Sequence, residues 1–176
     1  MKIVNTKIPG LKILKSKNFY DSRGFFREVF KQKLIKNPFI FGCLSQSKKN
    51  VLRGLHLQTK FSQAKLVTVL KGKIFDVVVD LRKNSKTYGK IFSIILSANN
   101  PRSLVVPRGC AHGFVGLDKE NIIYYLCDNY RSKKHEIGIN WCDEDLKIKW
   151  PVKKPKISAK DKNNLSFALY KNKHLN

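Results

Sequence analysis

The sequence predicts an all-β fold, a sandwich or barrel of short strands with a few short helices. Three observations carry this. Runs of β-branched and aromatic residues recur at roughly ten-residue spacing. Gly, Pro and Asn clusters separate those runs as turn-formers do. Helix signals are few.

Taken in chain order, Lys31–Lys36 predicts a short helix that stops before Asn37-Pro38. Leu66–Leu70 and Ile74–Asp80 read as two strands joined by a tight turn at Lys71-Gly72-Lys73. Tyr88–Leu96 is a further strand, closed by Asn99-Asn100-Pro101. Leu104–Val106 is short and ends at Pro107, and Ile122–Leu126 has the composition of a strand buried on at least one face. Asp143–Leu146 is a candidate single helical turn. Beyond Pro155 the chain turns polar, and Leu165–Asn176 is either a short helix or a frayed tail. The 176 residues suit one domain. Its expected parts are an N-terminal arm over about 1–40, a barrel over about 41–150 and a polar, helical tail over about 151–176. No internal repeat or low-complexity linker interrupts it.

Composition narrows the function. Hydrophobic residues make up 42% of the chain and aromatics 11%, as in a folded protein. The formal charge of +24 raises the question of nucleic acid. However, lysine supplies 29 of the 36 basic residues, scattered from Lys2 to Lys173, with no arginine cluster, helix-turn-helix pattern or zinc-finger spacing. A solvated lysine surface is the expectation, with no nucleic-acid partner; its field would also gather a small anionic substrate. No stretch approaches the ~20 apolar residues of a membrane helix, and Met1-Lys2-Ile3-Val4-Asn5 lacks the apolar core of a signal peptide, so a cytoplasmic protein is expected. The four cysteines, Cys43, Cys110, Cys127 and Cys142, form no CxxC pair and no disulfide framework, and are expected as reduced thiols.

Histidine is scarce. His174 and His135 lie in polar surroundings and read as surface residues. His56 and His112 sit among apolar neighbours, where each taken alone is more often a hydrogen-bonded core residue than a catalyst. Regular alternation along Arg53-Gly54-Leu55-His56-Leu57-Gln58 turns Gly54, His56 and Gln58 to one face. A bulge at Gly54 would reset that parity and bring Arg53 to the side of His56. A strand with Arg, His and Gln among leucines points to a small barrel with a partly polar interior, hence a ligand cavity.

Pro107-Arg108-Gly109-Cys110-Ala111-His112 has the P-x-G-x-x-H form of the second motif of the cupin-type jelly-roll barrels. Metal-binding cupins also need H-x-H and a glutamate in a first motif, whereas the matching strand here reads His56-Leu57-Gln58 with no carboxylate following. One histidine from each motif is too few for a metal site, so no metal and no cofactor are expected. Side chains would then do the proton chemistry.

At the level of ordered motifs the chain resembles the dTDP-4-dehydrorhamnose 3,5-epimerase family over nearly its whole length. The resemblance rests on Asp21–Glu28, Val51–Gln58, Lys65–Val67, Phe75–Arg82, Pro107–Phe114, Glu136–Asp143 and Ile157–Asp161. It implies a catalytic base at His56 in the RGLH motif, partnered by Asp161 at the end of SAKD. A carboxylate on one imidazole nitrogen fixes the tautomer and raises the basicity of the other. It implies a tyrosine acid on the strand before E-x-G-x-x-W. The family spacing places this at Tyr125, with Tyr124 adjacent and Tyr130 close. Lys65 matches the family's stabiliser of an enolate oxygen. Substrate contacts are implied at Arg23, Phe26, Glu28, Arg53, Gln58, His112, Tyr130, Glu136 and Lys160. The nucleotide-sugar partner follows, as does a homodimer in which N-terminal strands cross between subunits.

The implied activity is inversion of C3 and C5 of a nucleotide-linked 4-keto-6-deoxyhexose in deoxysugar or polysaccharide biosynthesis. Where the family shows Q-x-N-x-S before RGLH, this chain has Phe41 and Cys43, which lack an amide's paired hydrogen bonds. Thymidine is the first expectation for the carrier, and GDP- or CDP-linked sugars the alternative. Single-site epimerisation, 3,4-ketoisomerisation and a non-catalytic sugar-nucleotide-binding cupin stay open beside it.

Overall fold

A computed structural model describes residues 1–175. The N-terminal arm carries four short strands: β1 (Lys2–Asn5), β2 (Lys12–Lys15), β3 (Asn18–Asp21) and β4 (Gly24–Arg27). Longer strands follow, β5 (Phe41–Lys48), β6 (Leu52–Gln58), β7 (Lys65–Lys71), β8 (Lys73–Asp80) and β9 (Ile91–Ser97). The remainder are β10 (Arg102–Val106), β11 (Cys110–Gly116), β12 (Glu120–Cys127) and β13 (Glu136–Gly138), then helices α1 (Ala159–Lys162) and α2 (Phe167–Leu175). A six-stranded sheet ordered β1-β2-β10-β7-β12-β5 faces a five-stranded sheet ordered β13-β6-β11-β8-β9, and β3 pairs only with β4. All pairings between these strands are antiparallel, and the two sheets form a cupin-type jelly roll.

Alternation along β8 explains how the layers pack. Ile74 and Val78 point between the sheets, where they meet Val67, Val69, Leu96, Leu104, Phe114 and Ile123. Val77 and Val79 point the other way, onto Leu55, Leu57, Ile139 and Tyr170. The polar C-terminal segment thus supplies an outer apolar layer, with Phe167 and Trp150 packed against it. Among the described residues no helix is long and apolar enough to cross a membrane.

Several local expectations change. The strands flanking Gly72 do not form a hairpin: β7 and β8 belong to different sheets, so the chain turns a corner there. Gly72 adopts φ +79°, and a Cβ would collide with the carbonyl oxygen of Glu120. A short link between strands does not distinguish a hairpin from a corner; the sheets' partners decide it. Lys31–Lys36 shortens to a 3-10 turn at Gln32–Leu34. Asp143–Leu146 is a turn, with Asp143 Oδ1 accepting from the Asp145 and Leu146 N–H groups at 3.1 and 3.2 Å. The tail does form α2 through Leu175; Asn176 lies outside the described residues. Helix α1 falls within the expected helical tail but ahead of Leu165, the predicted helix start. Ser158 caps it, accepting the Asp161 N–H at 3.1 Å.

Candidate active site

A cavity of about 770 Å³ opens between the sheets. Strand β6 delivers three of its residues, Leu52, Arg53 and His56. In the β6–β11 ladder His112 is opposite His56, but Phe114 is opposite Arg53, so β6 holds one extra residue between them. Gly54 sits in that bulge at φ +126°, and a Cβ there would lie 2.5 Å from Gly113 Cα. Only glycine lets the two backbones approach so closely. The parity is reset, and Arg53 and His56 both line the cavity.

His56 Nε2 lies 2.6 Å from Asp161 Oδ1. With Nε2–H donating to the carboxylate, Nδ1 keeps its lone pair. Burial would raise the Asp161 carboxyl, but bonds and charge from His56, with Ser158 and the Gly54 backbone, outweigh it and hold it below the usual range. The short helix α1 thus reaches across more than a hundred residues of chain to fix one imidazole.

The opposing sheet brings Lys65 and Tyr125 to the same cavity, from β7 and β12. Burial raises the Tyr125 phenol far above its ordinary value, against the hydrogen bond to Ser45 Oγ at 3.2 Å. It is a phenol, not a phenolate, at neutral pH. Burial lowers the Lys65 ammonium, opposed by Cys127 and Glu136. Tyr124 is adjacent on β12 but faces away, its hydroxyl covering Gly42. Strand alternation separates the two tyrosines.

Other implied residues divide. His112, Glu136 and Lys160 line the cavity. His112 Nε2 lies 2.8 Å from Asp76 Oδ2, and Glu136 is held by Arg131 Nε at 2.9 Å and by Lys160. Burial would raise Glu136, but those two cations pull it down to about 2. Gln58 does not reach the cavity. Its amide donates to the Phe61 carbonyl at 2.6 Å and accepts from the Ser132 N–H at 2.7 Å, so its polar atoms are occupied in tying loops together. Tyr130 is 63% exposed and outside the lining, its ring tilted at 56° to that of Phe41, which does line it, with centroids 6.0 Å apart. Arg23, Phe26 and Glu28 belong to the β3–β4 hairpin and its exit. None lines the cavity of its own chain. Arg23 pairs with Asp21 at 2.6 Å and Glu28 with Lys31 at 2.7 Å.

Sequence reasoning did not single out Asp76, Ser45, Arg131 or Ser158. Asp76 is fully buried and its Oδ1 has no partner among the described residues. Burial raises it, with His112 and Lys65 opposing. A carboxylate inside the β-branched run Phe75-Asp76-Val77-Val78-Val79 was the available signal, because a buried acid needs a partner. Among the described residues no group of three or more His, Cys, Asp or Glu side chains is placed to hold a metal ion.

A jelly roll that sets an imidazole–carboxylate pair on one sheet's side of a cavity, against a phenol and an ammonium on the other, is the build of a cupin-type isomerase. The profile of the dTDP-4-dehydrorhamnose 3,5-epimerase family matches residues 5–168. The Shigella flexneri dTDP-4-dehydrorhamnose 3,5-epimerase is 44% identical over 174 residues, covering 95% of this chain and 96% of that protein. The Methanothermobacter thermautotrophicus enzyme of the same description is 39% identical over 170 residues, with 92% of each chain covered. The crystal structure of a Legionella pneumophila dTDP-6-deoxy-D-glucose-3,5-epimerase in complex with dTDP-4-keto-L-rhamnose superposes with a TM-score of 0.94 at 39% identity, covering 99% of this chain and 96% of that one. The chain belongs to the dTDP-4-dehydrorhamnose 3,5-epimerase family and is an isomerase.

Proposed function

We propose that this protein inverts C3 and C5 of dTDP-4-dehydro-6-deoxyglucose to give dTDP-4-dehydrorhamnose. The observation that carries this reading is that His56, held by Asp161, and Tyr125 stand on opposite sheets around one cavity. Inversion at a carbon needs a proton removed from one face and another delivered to the opposite face.

The hydrogens on C3 and C5 are acidic because both carbons flank the C4 ketone. His56 Nδ1 removes one of them, while Asp161 stabilises the imidazolium. Electron density moves onto the ketone oxygen, where the Lys65 ammonium offsets the developing charge. Tyr125 then protonates the carbon from the other side, and solvent restores both groups before the second centre reacts. Arg53, Arg131, Lys156 and Lys160 also line the cavity, a set of cations suited to the diphosphate. The reaction is redox-neutral overall.

The same reading assigns a homodimer, supported by the exposed aromatic hairpin β3–β4, whose Arg23 and Phe26 lie outside the cavity of their own chain. It also assigns a cytoplasmic, reducing setting without a nucleic-acid partner, supported by four free cysteines and by the dispersal of the lysines.

The test is NMR of dTDP-4-dehydro-6-deoxyglucose incubated with the enzyme in deuterium oxide. Solvent deuterium is expected at both C3 and C5, and His56→Ala should abolish it. Exchange at C3 alone would reduce the assignment to a single-site epimerase, and no exchange with tight dTDP binding would leave a binding protein.

A further inference from the structure

The phenol that delivers the proton stands among groups that resist its losing one. Burial keeps the Tyr125 hydroxyl protonated, and the Asp76 carboxyl adds to that. Yet acid catalysis breaks the Tyr125 O–H bond and leaves a negative oxygen in the cavity wall. One side-chain hydroxyl is placed to meet it. Strand β5 pairs with β12 so that Cys43 is opposite Tyr125 and Ser45 is opposite Ile123. Residues two apart on a strand share a face, so Ser45 lies diagonally across from Tyr125 on the same face of the sheet. Its Oγ is 3.2 Å from the Tyr125 hydroxyl oxygen and makes no other hydrogen bond among the described residues. Both side chains line the cavity. Of the groups that favour a negative phenol oxygen, Ser45 contributes most, ahead of Arg53.

We propose that Ser45 is the positioning residue of the proton donor: its hydroxyl donates to the Tyr125 oxygen, frees the phenol hydrogen for the substrate and holds the phenolate left after delivery. The role rests on the function proposed above and names the group that readies its acid. Either oxygen of the pair is able to donate, and the chemistry selects one. A phenol donating to Ser45 would point its one hydrogen at strand β5, away from any sugar carbon. With Ser45 donating, that hydrogen is free to face the cavity. As the Tyr125 O–H bond breaks, the enolate's electron pair takes the proton to form the new C–H bond, and the O–H pair stays on the phenolate oxygen. The Ser45 bond becomes charge-assisted in the same movement, so it strengthens along the step and lowers the barrier. Solvent later returns the phenol proton, and no co-reactant is consumed.

The enolate formed by His56 has two fates, and their ratio isolates this role. A proton returned by the imidazole restores the starting configuration, carrying deuterium wherever the imidazole has exchanged with deuterium oxide. A proton from Tyr125 arrives on the opposite face and inverts the carbon. Inverted over uninverted deuterated sugar therefore measures the phenol against the imidazole within one active site. The ratio does not depend on how much of the protein is folded or on how tightly the substrate binds, so a merely structural contribution from Ser45 would not move it.

The experiment follows the full chain and its variants on dTDP-4-dehydro-6-deoxyglucose in deuterium oxide, with the ratio read by NMR at early times. Ser45→Ala should lower it about tenfold or more, the usual worth of a hydrogen bond to a charged group. Ser45→Thr, which keeps the hydroxyl, should restore most of it. Tyr125→Phe should lower the ratio at least as far, and adding Ser45→Ala to it should change nothing more. A Ser45→Ala variant with the parent's ratio would overturn the proposal, even with a raised KM, since Ser45 would then serve substrate binding alone. Threonine that performs no better than alanine would overturn it as well. If Tyr125→Phe kept the parent's ratio, the phenol would not be the donor, and the proposed proton path would fall together with the role of Ser45. A parent that exchanges no sugar hydrogen would remove the epimerase reading itself.

Discussion

At the scale of single residues, the arrangement around His56 makes the tautomer the sensitive variable. Asp161 Oδ1 at 2.6 Å can only accept a proton as a carboxylate, so it holds the hydrogen on Nε2 and leaves Nδ1 basic. An asparagine of the same shape can donate instead, which would put the hydrogen on the wrong nitrogen. Asp161→Asn should therefore lower kcat by about 10²–10⁴-fold, the usual span of a general base, with KM and the circular dichroism spectrum little changed. A variant retaining more than a tenth of the rate would remove Asp161 from the mechanism. Glu136 gives a pH signature. Its carboxyl is held at about 2, against an ordinary 4.5, by Arg131 and Lys160 once burial is overcome. A depressed value means the carboxylate stabilises the fold above pH 4.5, and that contribution fades as pH falls towards 2. Urea denaturation should thus find Glu136→Gln less stable than the parent at pH 7, with the gap narrowing through this acid window. A gap independent of pH would mean that the ion pairs are not its source.

At the scale of elements, Gly54 decides which side chains share the cavity. Its bulge is what lets Arg53 stand beside His56, and its Cα sits against Gly113 across the ladder. Gly54→Ala places a methyl 2.5 Å from backbone that cannot yield, at a φ that alanine avoids. The expected cost is more than about 1 kcal/mol, read as a lower Tm, together with weaker dTDP binding because Arg53 loses its orientation. Gly54→Ala with unchanged stability would mean that the bulge is adaptable. The same strand shows how far sequence reaches. The polar trio Arg53, His56 and Gln58 marked β6 as a cavity wall, and the possible bulge was visible in the glycine. But Gln58, on the expected face, is consumed by the Phe61 carbonyl and the Ser132 N–H, because those loops cross the strand's end only in three dimensions. Tyr125 and Tyr124 were separable by alternation once β12 had partners. The corner at Gly72 was not legible, since nothing local records that β7 and β8 join different sheets. Asp161 was legible only through a motif. The tail holding it reads as polar, and its docking depends on Ser158, Phe167 and Tyr170 meeting surfaces built elsewhere in the chain.

At the scale of the whole molecule, the β3–β4 hairpin is the part that the single chain does not explain. Phe19, Tyr20, Phe25 and Phe26 are 56%, 73%, 54% and 67% exposed, aromatic surface of the kind that a partner normally covers. The base of the hairpin is anchored: Arg27 donates to the Ala98 carbonyl at 2.8 Å, and Ser16 Oγ to the Glu28 carbonyl at 2.6 Å. Its aromatic faces therefore project from a fixed support rather than from a loose arm. Phe19 and Phe26 sit 6.5 Å apart on one face and Tyr20 and Phe25 5.7 Å apart on the other, so each side presents a ready pair. In the proposed homodimer these rings are the anchors, and Arg23, at the tip, has the diphosphate of the neighbouring cavity as its proposed target. The two roles separate by mutation. Replacing both Phe19 and Phe26 by Ser should cost about 2 kcal/mol or more, raising the dimer Kd roughly thirtyfold or more, as sedimentation would show. Arg23→Ala should leave sedimentation unchanged but raise KM, since the arginine's guanidinium would be lost from phosphate binding alone. If the double serine variant stayed dimeric, the hairpin would not be the interface. If Arg23→Ala left KM untouched, the tip would not reach the substrate, and the cavity cations Arg53, Arg131, Lys156 and Lys160 would have to hold the diphosphate without it.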